Sequence, residues 1–285
     1  MPTLNDVIPP SPLRGEGRVR GDRARVTEVS EAGSVPFLKV ANQADQPLLL
    51  LDGEELIGAK QNRILNTTVL VAAHTEVTIP VSCVEEGCWG YRSRQLRPGD
   101  ASLFASLRAR KAARVSQSLR AGQGHRADQA EVWAHLAYLI SELDVASPTG
   151  AMRDLYAHHE ADMAAARLAL AAQPGQGGGP HLYGCPVGGL DLVAGPGLFG
   201  RAWPRLCAGY VADAIGREPK PWHRLDAAAV LEALAQGQAE PAPAVGLGEE
   251  YRLGSPELAG AALVAQGRVA HLMAFPAAEA PEVNQ

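Results

Sequence analysis

The clearest pattern along the chain is an alternation from Thr75 to Val84. Val77, Ile79, Val81 and Cys83 fall on one face, and Glu76, Thr78 and Ser82 on the other. Period two predicts a half-buried strand. Pro80 lies inside it and cannot donate to a ladder, so the strand is expected at an edge, or bulged at that point. Upstream, strands are predicted at 23–30 and 35–41, although the first separates its faces poorly. Four leucines, Leu48 to Leu51, run into Asp52-Gly53, which reads as a buried strand entering a tight turn with Gly53 at positive φ and Leu56-Ile57 starting the return. Ile64 to Val71 is apolar and β-branched and reads as one more strand.

After residue 100 the period changes. Leu103, Leu107, Val115 and Leu119 stand among arginines and lysines, and Val132, Leu136, Leu139, Ile140 and Leu143 make a 3.6-residue stripe. A third stripe, Met152, Leu155, His159, Met163, Ala166 and Leu170, follows Pro148 with Thr149 as expected N-cap. Further strands are predicted near 181–185 and 189–194, helices over 203–215 and 226–235 with Asp226 as cap, and a hairpin from 258–264 and 269–275. The pattern predicts an α+β fold: a mixed or antiparallel β-sheet core built from both ends of the chain, with a helical insertion at about 101–172. Residues 1–22 read as a flexible N-terminal segment, 23–276 as a single domain with a Gly-rich loop at 173–180, and 277–285 as a tail.

Composition narrows the function classes. The chain has 285 residues, 46% hydrophobic and 20% charged, which belongs to ordered globular proteins. The net charge of -5 carries no polybasic footprint, so duplex nucleic acid is not the expected partner. No stretch reaches the roughly 18–20 apolar residues of a membrane helix. The start of the chain lacks the basic and apolar regions of a signal peptide, so a cytoplasmic protein with free thiols is expected. Cys83 and Cys88 are not at zinc-ribbon spacing, and the loop at 173–180 lacks the Gly-Lys-Ser/Thr ending of a phosphate loop. The sequence names neither a cofactor nor a resident metal, and leaves a homodimer open.

Several residues could carry chemistry. Lys60-Gln61-Asn62-Arg63 offers an ammonium, a guanidinium and two amides together, which suits a phosphate, a carboxylate or a base edge. The same four residues also fit a solvated loop. Cys83 and Glu85 could be nucleophile and base, but Cys83 shares the apolar face of its strand, as a packed thiol does. His158 and Asp162 are four apart on a predicted helix, with no third ligand assigned by spacing. His125 sits in a Gly-rich loop without a motif, and His271 alternates with Val269 and Met273. Arg108, Arg110, Lys111, Arg114, Arg120 and Arg126 form a basic run that fits a phosphate-tracking groove or a solvated helix face.

The blocks 47–66 and 79–85, with Leu198-Phe199, Trp203, 210–214, 260–264 and 269–276, resemble a bacterial family. It is the ADP-ribosylglycohydrolase- and rhodanese-phosphatase-associated protein domain. The resemblance spans about 47–276 and joins both chain ends in one domain. It points to Gln61, Asn62, Arg63, Glu85 and His271 as a site, and to ADP-ribose or NAD metabolism. The family pattern has acidic residues where this chain has Gly197 and Gly200. The resulting expectation is a nucleotide-like small-molecule site. Lys60 and Arg63 would hold phosphates, Gln61 and Asn62 would orient the ligand, and Glu85 and His271 would serve acid–base chemistry. The competing expectation is a non-enzymatic module that docks a protein or single-stranded nucleic acid through the basic helical insertion and Trp133.

Overall fold

The apolar positions of the first hundred residues close a barrel. A computed structural model describes residues 24–30, 33–87, 90, 92–171, 178–181, 188–215, 227–255 and 258–276. In chain order its first strands are β1 (Ala24–Glu28), β2 (Phe37–Asn42), β3 (Leu48–Leu50), β4 (Glu54–Gly58), β5 (Arg63–Leu65), β6 (Val69–Val71), β7 (Thr75–Cys83) and β8 (Leu96–Ser102). The barrel order is β1-β2-β7-β5-β4-β8, closed where Val26 of β1 pairs with Leu96 of β8. Leu38, Val40, Leu56, Leu65, Ile79 and Val81 fill its core. β3 and β6 form a separate two-stranded sheet.

Four helices follow, α1 (Ala105–Arg120), α2 (Gln129–Glu142), α3 (Met152–His158) and α4 (Glu160–Ala169), within the stretch where the insertion was expected. Then come β9 (Gly178–His181), β10 (Gly189–Val193), α5 (Pro196–Ala212), α6 (Ala227–Gln236), β11 (Gln238–Ala242), β12 (Glu249–Gly254), β13 (Leu258–Ala265) and β14 (Arg268–Pro276). The last five strands and β9 form one antiparallel sheet, ordered β11-β12-β13-β14-β10-β9. The β core is therefore built from both ends of the chain, divided between a barrel and a sheet. α1 packs on β13 and β14, and α5 packs on β8 and β10. Asp213, at the C-terminal end of α5, accepts the backbone N–H and the hydroxyl of Ser106, so one helix end caps the start of α1. His135 Nε2 lies 3.3 Å from the same hydroxyl. With the Ser106 proton given to the carboxylate, this is a capping group and not a nucleophile with its base.

Several expectations are corrected. The leucine strand β3 does not fold back on β4. It pairs with β6, while β4 pairs with β5 and β8, so Gly53 carries the chain from one sheet into another. Gly53 has φ +74, and a Cβ there would come within 2.9 Å of the Arg108 side chain. The run Ile64 to Val71 splits at Asn66, Thr67 and Thr68, which are buried, and the side chains of Asn66 and Thr68 take partners elsewhere. β7 is not an edge strand: β2 covers it up to Pro80, and β5 covers it from Val81 to Cys83. Pro80 stands at that handover, where no donor is required of it. The third helical stripe breaks at His159 into α3 and α4, so His158 and Asp162 do not share a continuous turn. The N-cap of α3 is Ala151 and not Thr149. α5 begins seven residues earlier than the pattern predicted, with Pro196 in its first turn. Strands β8, β11 and β12 were not foreseen. The hairpin of β13 and β14 was, and turns through Gln266 and Gly267, both at positive φ. The N-terminal segment, the C-terminal tail, residues 173–177 of the Gly-rich loop, residues 182–185, Asp226, Cys88, Trp89, Tyr91 and Cys185 lie outside the described residues. No helix among the described residues is long and apolar enough to cross a membrane.

One barrel residue works against its surroundings. Glu55 of β4 is fully buried, and its Oε2 takes a hydrogen bond from Arg153 of α3 at 2.9 Å. Its Oε1 has no hydrogen-bond partner among the described residues. The carboxylate fits only because residue 99 is glycine, since a Cβ there would lie 2.3 Å from Glu55 Oε2. Burial raises its pKa from 4.5 to about 7 against the opposing pull of Arg153. Between these values the folded chain binds a proton that the unfolded chain has released. The favourable contribution is thus complete below pH 4.5 and is lost as pH rises through 7. Glu55→Gln should stabilise the protein at pH 8 by up to about 3 kcal/mol and flatten its pH dependence between pH 5 and about 7. Urea denaturation of both proteins across that range checks this, and parallel pH profiles would contradict it.

Candidate functional site

The residues expected to form one site are in two places. Gln61, Asn62 and Arg63 are buried at the β4–β5 turn, and Lys60 is partly exposed. Arg63 donates to Gln61 Oε1, Gln61 donates to the backbone carbonyl of Glu85, and Asn62 accepts from the Gly58 N–H. Glu85 holds Arg92 in a bidentate pair at 2.6 and 3.0 Å and accepts from Thr149. Its backbone bridges to Ala151, so this group ties the start of α3 to the barrel. Arg63 is 0% exposed and presents no open face to a ligand arriving from solvent. Cys83 is buried beside it, and burial raises the thiol pKa, with Glu28 adding to the rise and Arg63 opposing it. The side-chain amide of Gln129 bonds both the N–H and the carbonyl of Cys83, completing β7 on the side where β2 has ended.

His271 belongs to a second group, at the seam between barrel and sheet. Arg108 of α1 makes two hydrogen bonds to Asp191 of β10, at 2.7 and 2.8 Å, and approaches Asp52 of the barrel at 3.4 Å. Lys111, one helical turn on, pairs with Asp52 and donates to the Asn66 carbonyl. Asp191 also accepts from Tyr210 and from His271 Nε2. Thr68 Oγ1 accepts the Asp52 N–H and is hydrogen-bonded to His271 Nδ1 at 2.6 Å. Two cations, Arg108 and Lys111, stand against the two carboxylates, Asp52 and Asp191. Burial opposes the charge on Asp191, but Arg108, joined by His271, outweighs it and holds the carboxyl well below the usual range. Burial likewise lowers the Lys111 pKa, against the pull of Asp52. Each of these charged side chains is at most 1% exposed. The group reads as a structural ion cluster closed to solvent.

The basic run divides accordingly. Arg108 and Lys111 are inside, while Arg110 and Arg114 pair with Glu131 and Arg120 with Glu240. The cations needed for a phosphate-tracking helix face are thus buried or paired with carboxylates.

An open site lies beside these groups. A cleft of about 440 Å³ runs between the ends of β2 and β7 and the 121–128 loop. Pro36, Phe37, Pro80 and Val245 give it an apolar lining, with Phe37 37% exposed. Ser82, His125, Arg126 and Gln129 supply its polar groups. His125 Nε2 is held by Glu250 Oε2 at 2.8 Å, and Arg252 holds the other oxygen at 2.9 Å. Burial opposes the charge on Glu250, but His125 and Arg252 keep its pKa below the usual value. Among the described residues His125 Nδ1 has no hydrogen-bond partner, and the side chain is 7% exposed. Asn66 fixes this arrangement by donating to the His125 carbonyl and accepting from Ser82. Its own carbonyl takes Lys111, which links the cleft to the ion cluster.

Sequence reasoning set His125 aside and left Glu250 unexamined. The available signals were Glu250 and Arg252 two apart on one strand face, Asp52 directly after an apolar run, and Asp191 inside an apolar strand. Among the described residues no three His, Cys, Asp or Glu side chains converge as a metal-ion set. Gly197 and Gly200 lie on the exposed face of α5 with open space around them, so acidic residues there would face solvent.

Residues 11–275 match the family model of the ARG and Rhodanese-Phosphatase-superfamily-associated Protein domain, and the chain belongs to that family. The description names associated proteins and not a reaction. No curated protein matches the chain, and no solved structure does.

The ion cluster makes a stability prediction. Arg108→Met leaves Asp191 and Asp52 short of a buried cation and should cost roughly 3–5 kcal/mol in urea denaturation. Arg114→Ala, on the exposed face of the same helix, should cost no more than about 0.5 kcal/mol. Equal losses would show that Arg108 is not a structural tie.

Proposed function

We propose that this member of the ARG and Rhodanese-Phosphatase-superfamily-associated Protein domain family binds a nucleotide-like small molecule, of the ADP-ribose or NAD class, in the cleft at His125. The observation that carries the reading is the two-part lining of that cleft: an apolar surface with exposed Phe37 beside an imidazole held by a buried carboxylate. Cofactor and nucleotide sites combine a mostly apolar lining with a few fixed polar groups, and about 440 Å³ falls within their usual size. Phe37, Pro36 and Pro80 offer a surface for a base or sugar ring. Arg126, exposed in the loop, can meet a phosphate by bidentate hydrogen bonds. His125 is oriented by Glu250 as an acid–base group or a hydrogen-bond partner. ARG read as ADP-ribosylglycohydrolase makes ADP-ribose the first ligand to test. In this reading Gln61, Asn62, Arg63 and Glu85 form the frame of the neighbouring turn, and His271 serves the ion cluster.

A thermal-shift and calorimetry panel of ADP-ribose, NAD, AMP and adenosine tests it. At least one phosphate-bearing ligand should bind. Phe37→Ala and Arg126→Ala should each weaken it about tenfold, equal to about 1.4 kcal/mol, without lowering the melting temperature. Absence of binding across the panel, or binding untouched by both variants, rejects the cleft as the site.

A further inference from the structure

A second cleft, of about 660 Å³, opens where α1, α6 and the β11–β12 edge meet. Arg252, Arg120, Glu240, Gln238 and Ser255 are among its lining residues. Arg252 is the unusual member, being only 3% exposed yet part of the lining. Its Nε donates to Ser116 Oγ, Nη2 to the Ala112 carbonyl and Nη1 to Glu250 Oε1. A guanidinium carries five N–H groups, so these three bonds fix its plane and, among the described residues, leave two N–H groups over. Arg120 is 59% exposed and pairs with Glu240 at 2.7 Å.

Arg252 also faces the first cleft indirectly. Glu250 lies between them, with Oε1 on Arg252 and Oε2 on His125. One buried carboxylate is therefore shared by a cation at one cleft and an imidazole at the other. The charged groups around this pair are Arg252 on β12, Arg126 beside His125 in the loop, and Lys111 on α1, which acts on Arg252 through space.

We propose that the Arg252–Arg120 cleft is a second ligand site, for a phosphate-like or sulfate-like oxyanion, coupled to His125 through Glu250. An oxyanion accepting the remaining N–H groups of Arg252 offsets part of the charge that Glu250 now meets. The carboxylate then attracts the His125 proton more strongly. Anion binding in one cleft favours protonated His125 in the other, and by linkage protonation of His125 tightens the anion. Glu240 is displaced from Arg120 as the anion enters, which keeps the site selective for ligands with charge enough to compete.

Sulfate is the probe, because its charge is constant across the titration of a histidine. The His125 ring signal, assigned by its loss in His125→Asn, is followed by NMR against pH with and without sulfate, with sodium chloride at matched ionic strength as control. Sulfate should raise the titration midpoint saturably, by several tenths of a pH unit or more, and chloride should not. Arg120→Ala, a change on the surface, should weaken sulfate binding severalfold. Glu250→Gln should keep sulfate binding but abolish the shift of His125. Arg126→Ala should leave the shift intact, because it borders only the first cleft. A midpoint equal in sulfate and chloride overturns the proposal, as does a sulfate dependence of the shift unchanged in Arg120→Ala or a shift lost in Arg126→Ala. None of these readings needs a nucleotide in the first cleft, so failure here and failure of the nucleotide reading are distinguishable.

Discussion

The ion pairs of Arg108 are the constraint on which the architecture depends. A barrel made from the first hundred residues and a sheet made from the last hundred meet at a seam, and α1 runs through it. From that helix Arg108 reaches Asp191 in the sheet, and both Arg108 and Lys111 reach Asp52 in the barrel. Removing these charges from water is expensive, and their mutual attraction offsets the cost only where geometry and charge balance are good. Arg108 meets that condition with its bidentate pair to Asp191 and its position 4.9 Å from the Phe275 ring. The backbone around it conforms: Gly53 lacks the Cβ that would obstruct the Arg108 chain.

The same seam sets the limits of the cleft. Asn66 passes the constraint outward, because its carbonyl holds Lys111 while its amide holds the His125 loop and Ser82. The His125 imidazole is placed by the barrel on one side and by Glu250 of the sheet on the other. Such a group is pre-organised: its orientation is fixed before a ligand arrives, which lowers the entropy cost of binding. The apolar lining beside it comes mainly from the ends of β2 and β7, where Pro36 and Pro80 remove backbone donors from the rim.

Buried carboxylates in this protein follow two regimes. Asp191 and Glu250 each have strong cationic or hydrogen-bonded partners at both oxygens, and both are held ionised. Glu55 has Arg153 at one oxygen only, so desolvation prevails and its pKa rises to about 7. Completeness of the hydrogen-bond shell, more than depth of burial, decides which regime applies. The fixed carboxylates lie in the seam and next to the cleft, and the titrating one joins the barrel to the helical insertion.

Much of the fold was legible in the sequence. The alternation of β7, the stripe of α2 and the hairpin of β13 and β14 each repeat with a local period, and a local period reports directly which face is buried. The α+β class and the division into β ends and a helical middle follow from that. The sites were not legible in the same way. Lys60–Arg63 looked like a polar cluster open to solvent, and the fold turned three of those side chains inward toward Glu85 and one another. Arg108 and Lys111 looked like part of a basic face, and His125 like an incidental loop residue. Each owes its role to partners far along the chain: Arg108 to Asp191, Lys111 to Asp52, His125 to Glu250. Pairing of charges at such separations leaves no periodicity in the sequence. It exists only once the barrel and the sheet are brought together, and that step belonged to the tertiary structure alone.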